Sequence, residues 1–586
     1  MIGFQKGDFL WAREAGLREN MRTRVNRRPL IRISAVAVVA VVAASLSAGP
    51  AQAPAPGAKP GELTAEAKVD RVFERFNRSD TPGCVVGVAA GGKPVLVKAY
   101  GMADLERGVR LRPDSVFESG SVAKQFTAAA VALLCRDGKL SLDDPVRKYV
   151  PEVPDFGPPV LIRHLLNHTS GLRSQWSLLG LAGRPTGWAV HTVEEILELV
   201  GRMRELNFKP GDEYLYCNTG YTLLGVVVAR VSGKTLDAFC QERLFKPLGM
   251  TRTRWREDFR TIVPDRATAY GRLPDGRFFT NMPFTSVIGN GGLLTTAGDL
   301  LLWNGNLDEP RVGGPALVEQ LETRGRLNDG FELEYAQGLV VTAYKGLREV
   351  GHGGSTAGYQ AFLARYPSER LSIAVLSNLS GSGPAGLARQ VADIYLAGKI
   401  EEPAKPVAAA VPASTLKKYL GVYRERLTDA AMRVELDKNG KTLRFSGLPA
   451  LPLSATTFMT PDGSRRFVFE PGTAGSSFKI TDTTPGARPR LWEAAPPFAP
   501  RPADLDAFAG AYYSYEIDTT YTLFVKDGRL LAHFRPAQLI VLRPIYDDAF
   551  ESDEDVFRFS RDASGRVDSF RVYAGRAWRV LFGRIS

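Results

Sequence analysis

The sequence predicts an α+β domain, built on an antiparallel sheet with a helical subdomain, followed by two small all-β, barrel-like domains. Three observations predict it. A glycine hairpin near residue 91 precedes a long, mostly helical middle and a return to strand near residue 371. Residues 401–412 are rich in Pro, Ala and Lys and break the composition, as an interdomain linker does. Beyond them one pattern occurs twice, Leu416-x-x-Tyr419-x-Gly421-x-Tyr423 and Leu505-x-x-Phe508-x-Gly510-x-Tyr512. A chain of 586 residues also exceeds what a single core holds.

The first 53 residues read as a leader. Arginines 22, 24, 27, 28 and 32 precede an apolar Ala/Val run over 33–48, and Ala51-Gln52-Ala53 offers an A-x-A cleavage site, with cleavage after Ala51 as the alternative. Arg27-Arg28-Pro29-Leu30-Ile31-Arg32 resembles a twin-arginine export signal, and an ordinary secretory signal fits equally. The expectation is an exported protein, periplasmic or secreted, with no transmembrane segment once the signal is cleaved. The net charge is +12, but the leader has eight basic and three acidic residues, so the remainder carries +7. No dense Lys/Arg run with interleaved aromatics argues for nucleic acid. Cys84, Cys135, Cys217 and Cys240 make no spaced framework and are expected to be mostly buried thiols.

Residues 54–62 form a Pro/Ala/Gly linker, and the first domain is placed at 63–400. Val69, Val72, Phe73 and Phe76 share one helical face. Residues 84–90 and 95–100 read as strands around Gly91-Gly92. A helix follows Ser121, carries Phe126, Ala129, Ala130, Leu133 and Leu134, and stops at Gly138. Residues 371–376 read as a strand and 385–396 as a helix. After the linker at 401–412, the repeats define β-domains at 413–495 and 503–586. Each is made of short alternating segments with turn dipeptides such as Asn439-Gly440 and Asp527-Gly528.

Chemistry concentrates in the first domain. Ser121-Val122-Ala123-Lys124 is an S-x-x-K motif at a helix start, which places Lys124 on the serine's face and aims backbone N–H groups at developing negative charge. A serine hydroxyl needs a base to become a nucleophile, and a lysine serves only if its surroundings lower its pKa. The same motif at Ser414 and Ser476 has no partners and is read as accidental. Tyr216-Cys217-Asn218 lies within Phe208-Lys209-Pro210-Gly211-Asp212-Glu213-Tyr214-Leu215-Tyr216-Cys217-Asn218-Thr219-Gly220-Tyr221, and His352-Gly353-Gly354 follows near the domain's end. His164 and His168 are four apart, yet the segment lacks the Glu of H-E-x-x-H and a third ligand, so both are read as structural and no metal is expected. His191 and His533 have no partner visible in the sequence.

In this order and context, the motifs resemble those of the penicillin-recognising serine hydrolases: serine β-lactamases, D-Ala-D-Ala carboxypeptidases, D-aminopeptidases and β-lactamase-fold esterases. Two further stretches carry the resemblance, one from Arg163 to Leu172 (R-H-L-L-N-H-T-S-G-L) and Gly291-Gly292-Leu293-Leu294-Thr295-Thr296-Ala297-Gly298-Asp299. It covers roughly residues 70–395 and implies an α/β transpeptidase/β-lactamase-like fold whose N- and C-terminal strands share one sheet. It also implies roles. Ser121 would be the nucleophile, Lys124 and Tyr216 would manage protons, and Asn218 would hold the substrate carbonyl. His352 would stand where relatives carry a K-T-G lysine, as donor or cation. Gly353 and Gly354 would let substrate lie against the strand, and the N–H of Ser355 would join that of Ser121 in an oxyanion hole.

The resemblance implies no cofactor and a small-molecule or short-peptide acyl substrate; it leaves the oligomeric state open. Histidine at 352 and the double β-tail lean towards a D-amino-acid peptidase or amidase, or an esterase. A β-lactamase is one alternative. Another is a penicillin-binding or sensor protein that acylates without efficient turnover and uses its β-domains to bind a ligand or partner. A C-terminal loop reaches the active site in D-aminopeptidases, but no residue here can be matched to it from the sequence.

Overall fold

The computed structural model describes residues 63–586 apart from 188, 403–405, 473–476, 535–537, 554 and 586. The leader, the 54–62 linker and Ser476 lie outside the described residues.

The first domain is a six-stranded antiparallel sheet with helices on both faces. Helix α1 (Ala65–Phe73) leads into the hairpin of β1 (Cys84–Ala90) and β2 (Lys93–Tyr100). Helix α2 (Lys124–Arg136), helix α3 (Asn218–Ser232) and helix α4 (Ala297–Asp308) belong to the helical middle. Strands β3 (Val340–Tyr344), β4 (Leu347–Thr356), β5 (Tyr359–Tyr366) and β6 (Leu371–Ser377) follow, then helix α5 (Pro384–Tyr395). The sheet order is β3-β4-β5-β6-β1-β2, so the C-terminal strand pairs with the N-terminal one, Val86 opposite Val375.

Strand alternation explains why β1 is apolar throughout. Val85 and Ala89 face the core of the helical middle, whereas Cys84, Val86 and Val88 face α1 and α5. Helix α2 is buried from Lys124 to Leu134, and its alanines allow neighbouring helices to approach closely. Ser121 precedes it in a 3₁₀ turn, Gly120–Ala123. With three residues per turn, side chains three apart eclipse, which stacks Ser121 over Lys124.

Both β-domains are closed eight-stranded antiparallel barrels, from Gly421–Glu425 to Arg490–Ala495 and from Gly510–Ser514 to Ala577–Arg584. The repeat marks the same joint in each. Tyr423 donates to the Tyr419 carbonyl and Tyr512 to the Phe508 carbonyl, both at 3.0 Å. Between them Gly421 and Gly510 adopt φ of 143° and 148°, open only to glycine at low cost. Barrels of this size either fill with side chains or hold one small ligand. Stacked rings fill both, Phe445 on Phe467 at 3.8 Å in the first and Phe570 on Phe582 at 4.8 Å in the second.

The second barrel docks on the first domain through a buried ion pair. Arg173, 1% exposed, pairs with Glu516 and also donates to the carbonyls of Trp578 (3.0 Å) and Arg579 (3.2 Å). Removing one partner of such a pair leaves a buried charge, so Arg173→Ala is expected to cost about 3–5 kcal/mol. The urea midpoint of the full chain should fall accordingly; an unchanged midpoint would show that the pair contributes nothing. The first barrel docks through Arg488, which donates to Asp212 O (2.9 Å), Glu213 (2.8 Å) and Asp329 (2.7 Å). The four cysteines are free thiols, three buried and Cys135 half-buried.

Candidate active site

Lys124 is the centre of the site. Its amine lies 3.1 Å from Ser121 Oγ, 2.9 Å from Asn218 Oδ1 and 2.7 Å from the Asn290 carbonyl. The ammonium is fully buried, and that burial, reinforced by Arg576, holds its pKa well below the ordinary lysine value. A neutral amine has two N–H donors and one lone pair. Asn218 and Asn290 take the donors, and the lone pair is left for the Ser121 hydroxyl, the arrangement a general base needs.

Tyr216 flanks this pair, with Lys124 Nζ 4.8 Å from its ring centre. Burial raises its pKa, opposed chiefly by Ser121, so the group is a phenol and not a phenolate. Its hydroxyl is buried beside Ser121 and makes no well-formed hydrogen bond among the described residues. An unpartnered donor beside the nucleophile is suited to a leaving atom of substrate.

His352 is neutral. Burial first, then Lys124, lowers its pKa to about 3. Its Nδ1 meets the Gly353 carbonyl and its Nε2 lies 3.0 Å from the Tyr335 hydroxyl. With Nδ1–H donating, Nε2 accepts from Tyr335, so neither nitrogen is spare and the cationic alternative is opposed by its surroundings.

Strand β4 outruns its neighbour, since pairing with β3 ends at Gly351. Residues 352–356 therefore present an open edge to the Ser121 turn. The two-residue hairpin pairs Thr356 with Tyr359, which puts Ser355 at a position whose N–H turns away from β5. The approach is close: a Cβ on Gly354 would lie 2.0 Å from Ser119 O and 3.0 Å from Ser121 N, and one on Gly120 (φ 53°) 2.5 Å from Ser355 N. The backbone nitrogens of Ser121 and Ser355 thus lie close to one another at the strand edge, the proximity an oxyanion hole would need.

The structure therefore brings Ser121, Lys124, Tyr216, Asn218, His352, Gly353, Gly354 and Ser355 together, and adds four residues that the sequence reading did not assign to the site. Asn290 lies beside the noted Gly291-Gly292 segment. Tyr335 had no sequence signal. His168 belongs to the noted N-H-T-S-G stretch: its Nδ1 accepts the Cys217 N–H (3.1 Å) and its ring packs 4.2 Å from that of Tyr216, fixing the tyrosine's pose. The fourth is Arg576, from the last hairpin of the second barrel, 4.6 Å over the Tyr216 ring. His164 Nδ1 accepts the Leu161 N–H and closes a helix turn. His191 does have a partner, Glu195 at 2.9 Å one helical turn on, and His533 is exposed on a barrel strand.

The Beta-lactamase family description matches residues 69–396, more than half of the chain. The chain belongs to that family and is a serine hydrolase of its S-x-x-K type. It is 27% identical over 466 residues to a D-aminopeptidase of Gluconobacter oxydans (strain 621H), covering 77% of this chain and 83% of that protein. A D-aminopeptidase of Brucella anthropi is 31% identical over 316 residues, covering 54% of this chain and 59% of the relative. Among solved structures, an octameric penicillin-binding protein homologue from Pyrococcus abyssi superposes with a TM-score of 0.52 at 25% identity, covering 81% of this chain and all of that one.

Proposed function

We propose that this chain is an exported hydrolase that cleaves amide bonds of D-amino-acid derivatives through an acyl-enzyme on Ser121. The observation that carries the reading is the buried Lys124 amine 3.1 Å from Ser121 Oγ with both its N–H groups engaged elsewhere. The relatives named D-aminopeptidases support the choice of substrate. Export rests on the signal pattern over 21–53.

In this reading Ser121 Oγ attacks the carbonyl as its proton passes to Lys124. The N–H groups of Ser121 and Ser355 hold the oxyanion, and Asn218 orients the acyl carbonyl. Tyr216 donates its proton to the departing nitrogen and is reprotonated from the Lys124 ammonium. Water then attacks the ester, giving its proton to the same amine, which returns it to Ser121 Oγ as the acid departs and the free enzyme is restored. The scheme calls on no metal or organic cofactor.

The test is steady-state hydrolysis of D- and L-alanine p-nitroanilide, p-nitrophenyl acetate and a chromogenic cephalosporin, with Ser121→Ala as control. Ser121-dependent turnover with D preferred over L is the expected result. Faster turnover of the cephalosporin would make the protein a β-lactamase, and a persistent adduct without turnover would make it a sensor. Either result would overturn the proposal.

A further inference from the structure

The last barrel hairpin brings a cation into the site. Its turn, Gly575-Arg576, joins strands Val567–Ala574 and Ala577–Arg584. The turn is fastened to the first domain by its backbone: the Arg576 N–H donates to Ser177 Oγ (3.3 Å), and its carbonyl accepts from the Ser174 N–H (3.1 Å) and from Asn207 Nδ2 (3.2 Å). The neighbouring Trp578 N–H donates to Asn207 Oδ1 at 2.8 Å. With its main chain fixed, the half-buried Arg576 side chain is directed over Tyr216, the same ring that Lys124 approaches.

The guanidinium has no hydrogen-bond or carboxylate partner among the described residues, although most other arginines near the barrel contacts do, Arg173, Arg488 and Arg571 among them. The groups acting electrostatically on Lys124, Tyr216 and His352 include Arg576 but no carboxylate. A carboxylate would find a planar double donor.

We propose that Arg576, delivered by the second barrel, is a specificity-determining residue that recognises a carboxylate on the substrate a few atoms from the scissile bond. This rests on the reading of Ser121 as nucleophile. It makes the preferred substrate an acyl compound with a free acid, on the leaving group as in a dipeptide or on the acyl part as in a half-ester.

Two matched pairs distinguish those sources. D-alanyl-D-alanine against D-alanyl-D-alaninamide varies the leaving group, and p-nitrophenyl hydrogen glutarate against p-nitrophenyl butyrate varies the acyl group. In the full chain kcat/KM for the acid member of at least one pair should exceed its neutral partner about tenfold or more, the range of charge-assisted hydrogen bonds. That ratio should fall to about one in Arg576→Gln, survive in part in Arg576→Lys, and invert in Arg576→Glu. Equal rates within both pairs, or a ratio that Arg576→Gln leaves unchanged, would overturn the proposal. Calorimetric binding of D-alanyl-D-alanine and its amide to Ser121→Ala, with and without Arg576→Gln, reads an acid preference on the leaving group without turnover. A preference for the acid that Arg576→Gln removes, in a protein with no Ser121-dependent hydrolysis, would sink the functional reading and leave this one standing.

Discussion

Ser121→Ala and Lys124→Met are each expected to lower kcat/KM by on the order of 10⁴-fold or more, and the double variant to lose little beyond either single one. A nucleophile and its base act as a unit, so once either is gone the other has nothing to do. The residual rate would come from the oxyanion donors and binding alone. Single-turnover acylation by p-nitrophenyl acetate is the direct measurement; losses that multiply in the double variant would mean that Lys124 does not work through Ser121.

The same lysine predicts a pH signature in stability. Its folded pKa lies well below 10.5, chiefly through burial, with Arg576 adding to the effect. Between that depressed value and 10.5 the unfolded chain binds a proton that the folded chain refuses. Unfolding is therefore favoured as pH falls through this window, and the penalty is constant below it. The stability of the wild type relative to Lys124→Met should rise with pH, by up to about 1.4 kcal/mol per unit. Melting temperatures of both proteins at pH 7 and pH 9 measure it, and a gap that narrows the other way would show a protonated lysine in the fold.

Gly354→Ala is expected to cost about 10²–10³ in kcat, the usual loss when an oxyanion donor is misplaced. The added Cβ would meet the Ser119 carbonyl at 2.0 Å and Ser121 N at 3.0 Å. Both are backbone atoms, so no side chain can rotate aside. Either the Ser121 turn or the edge of β4 must move, and the backbone nitrogens of Ser121 and Ser355 would no longer lie as close to one another. KM should change less than kcat, because the oxyanion forms only during reaction. Activity within threefold of wild type would remove the strand edge from the mechanism.

Much of this was legible in the chain because the relevant signals are local. S-x-x-K at a helix start, the Tyr-x-Asn loop and His-Gly-Gly on a strand each combine residue type with spacing, and their order along the chain added the rest. The barrel repeat was visible because a tyrosine, a glycine and a leucine do the same job twice at one joint. Asn290, Tyr335 and Arg576 were not legible for an equally physical reason. Asn290 contributes a backbone carbonyl, which any residue has. Tyr335 reaches His352 from a segment with no motif. Arg576 sits in an ordinary hairpin turn, and the Asn207 amide that receives it is 369 positions away.

By itself the sequence determined the order of the domains, the helical middle between strand segments and the two β-domains, all of them properties of periodicity and short spacing, while the shared antiparallel sheet and the candidate roles of Ser121, Lys124 and Tyr216 came with the family resemblance. Only the tertiary structure decided that Lys124 is buried with its pKa held down, that His352 is neutral and already bonded, and that the second barrel places a cation over Tyr216. These depend on which surfaces are removed from water together, and segments hundreds of residues apart meet only when the chain is folded.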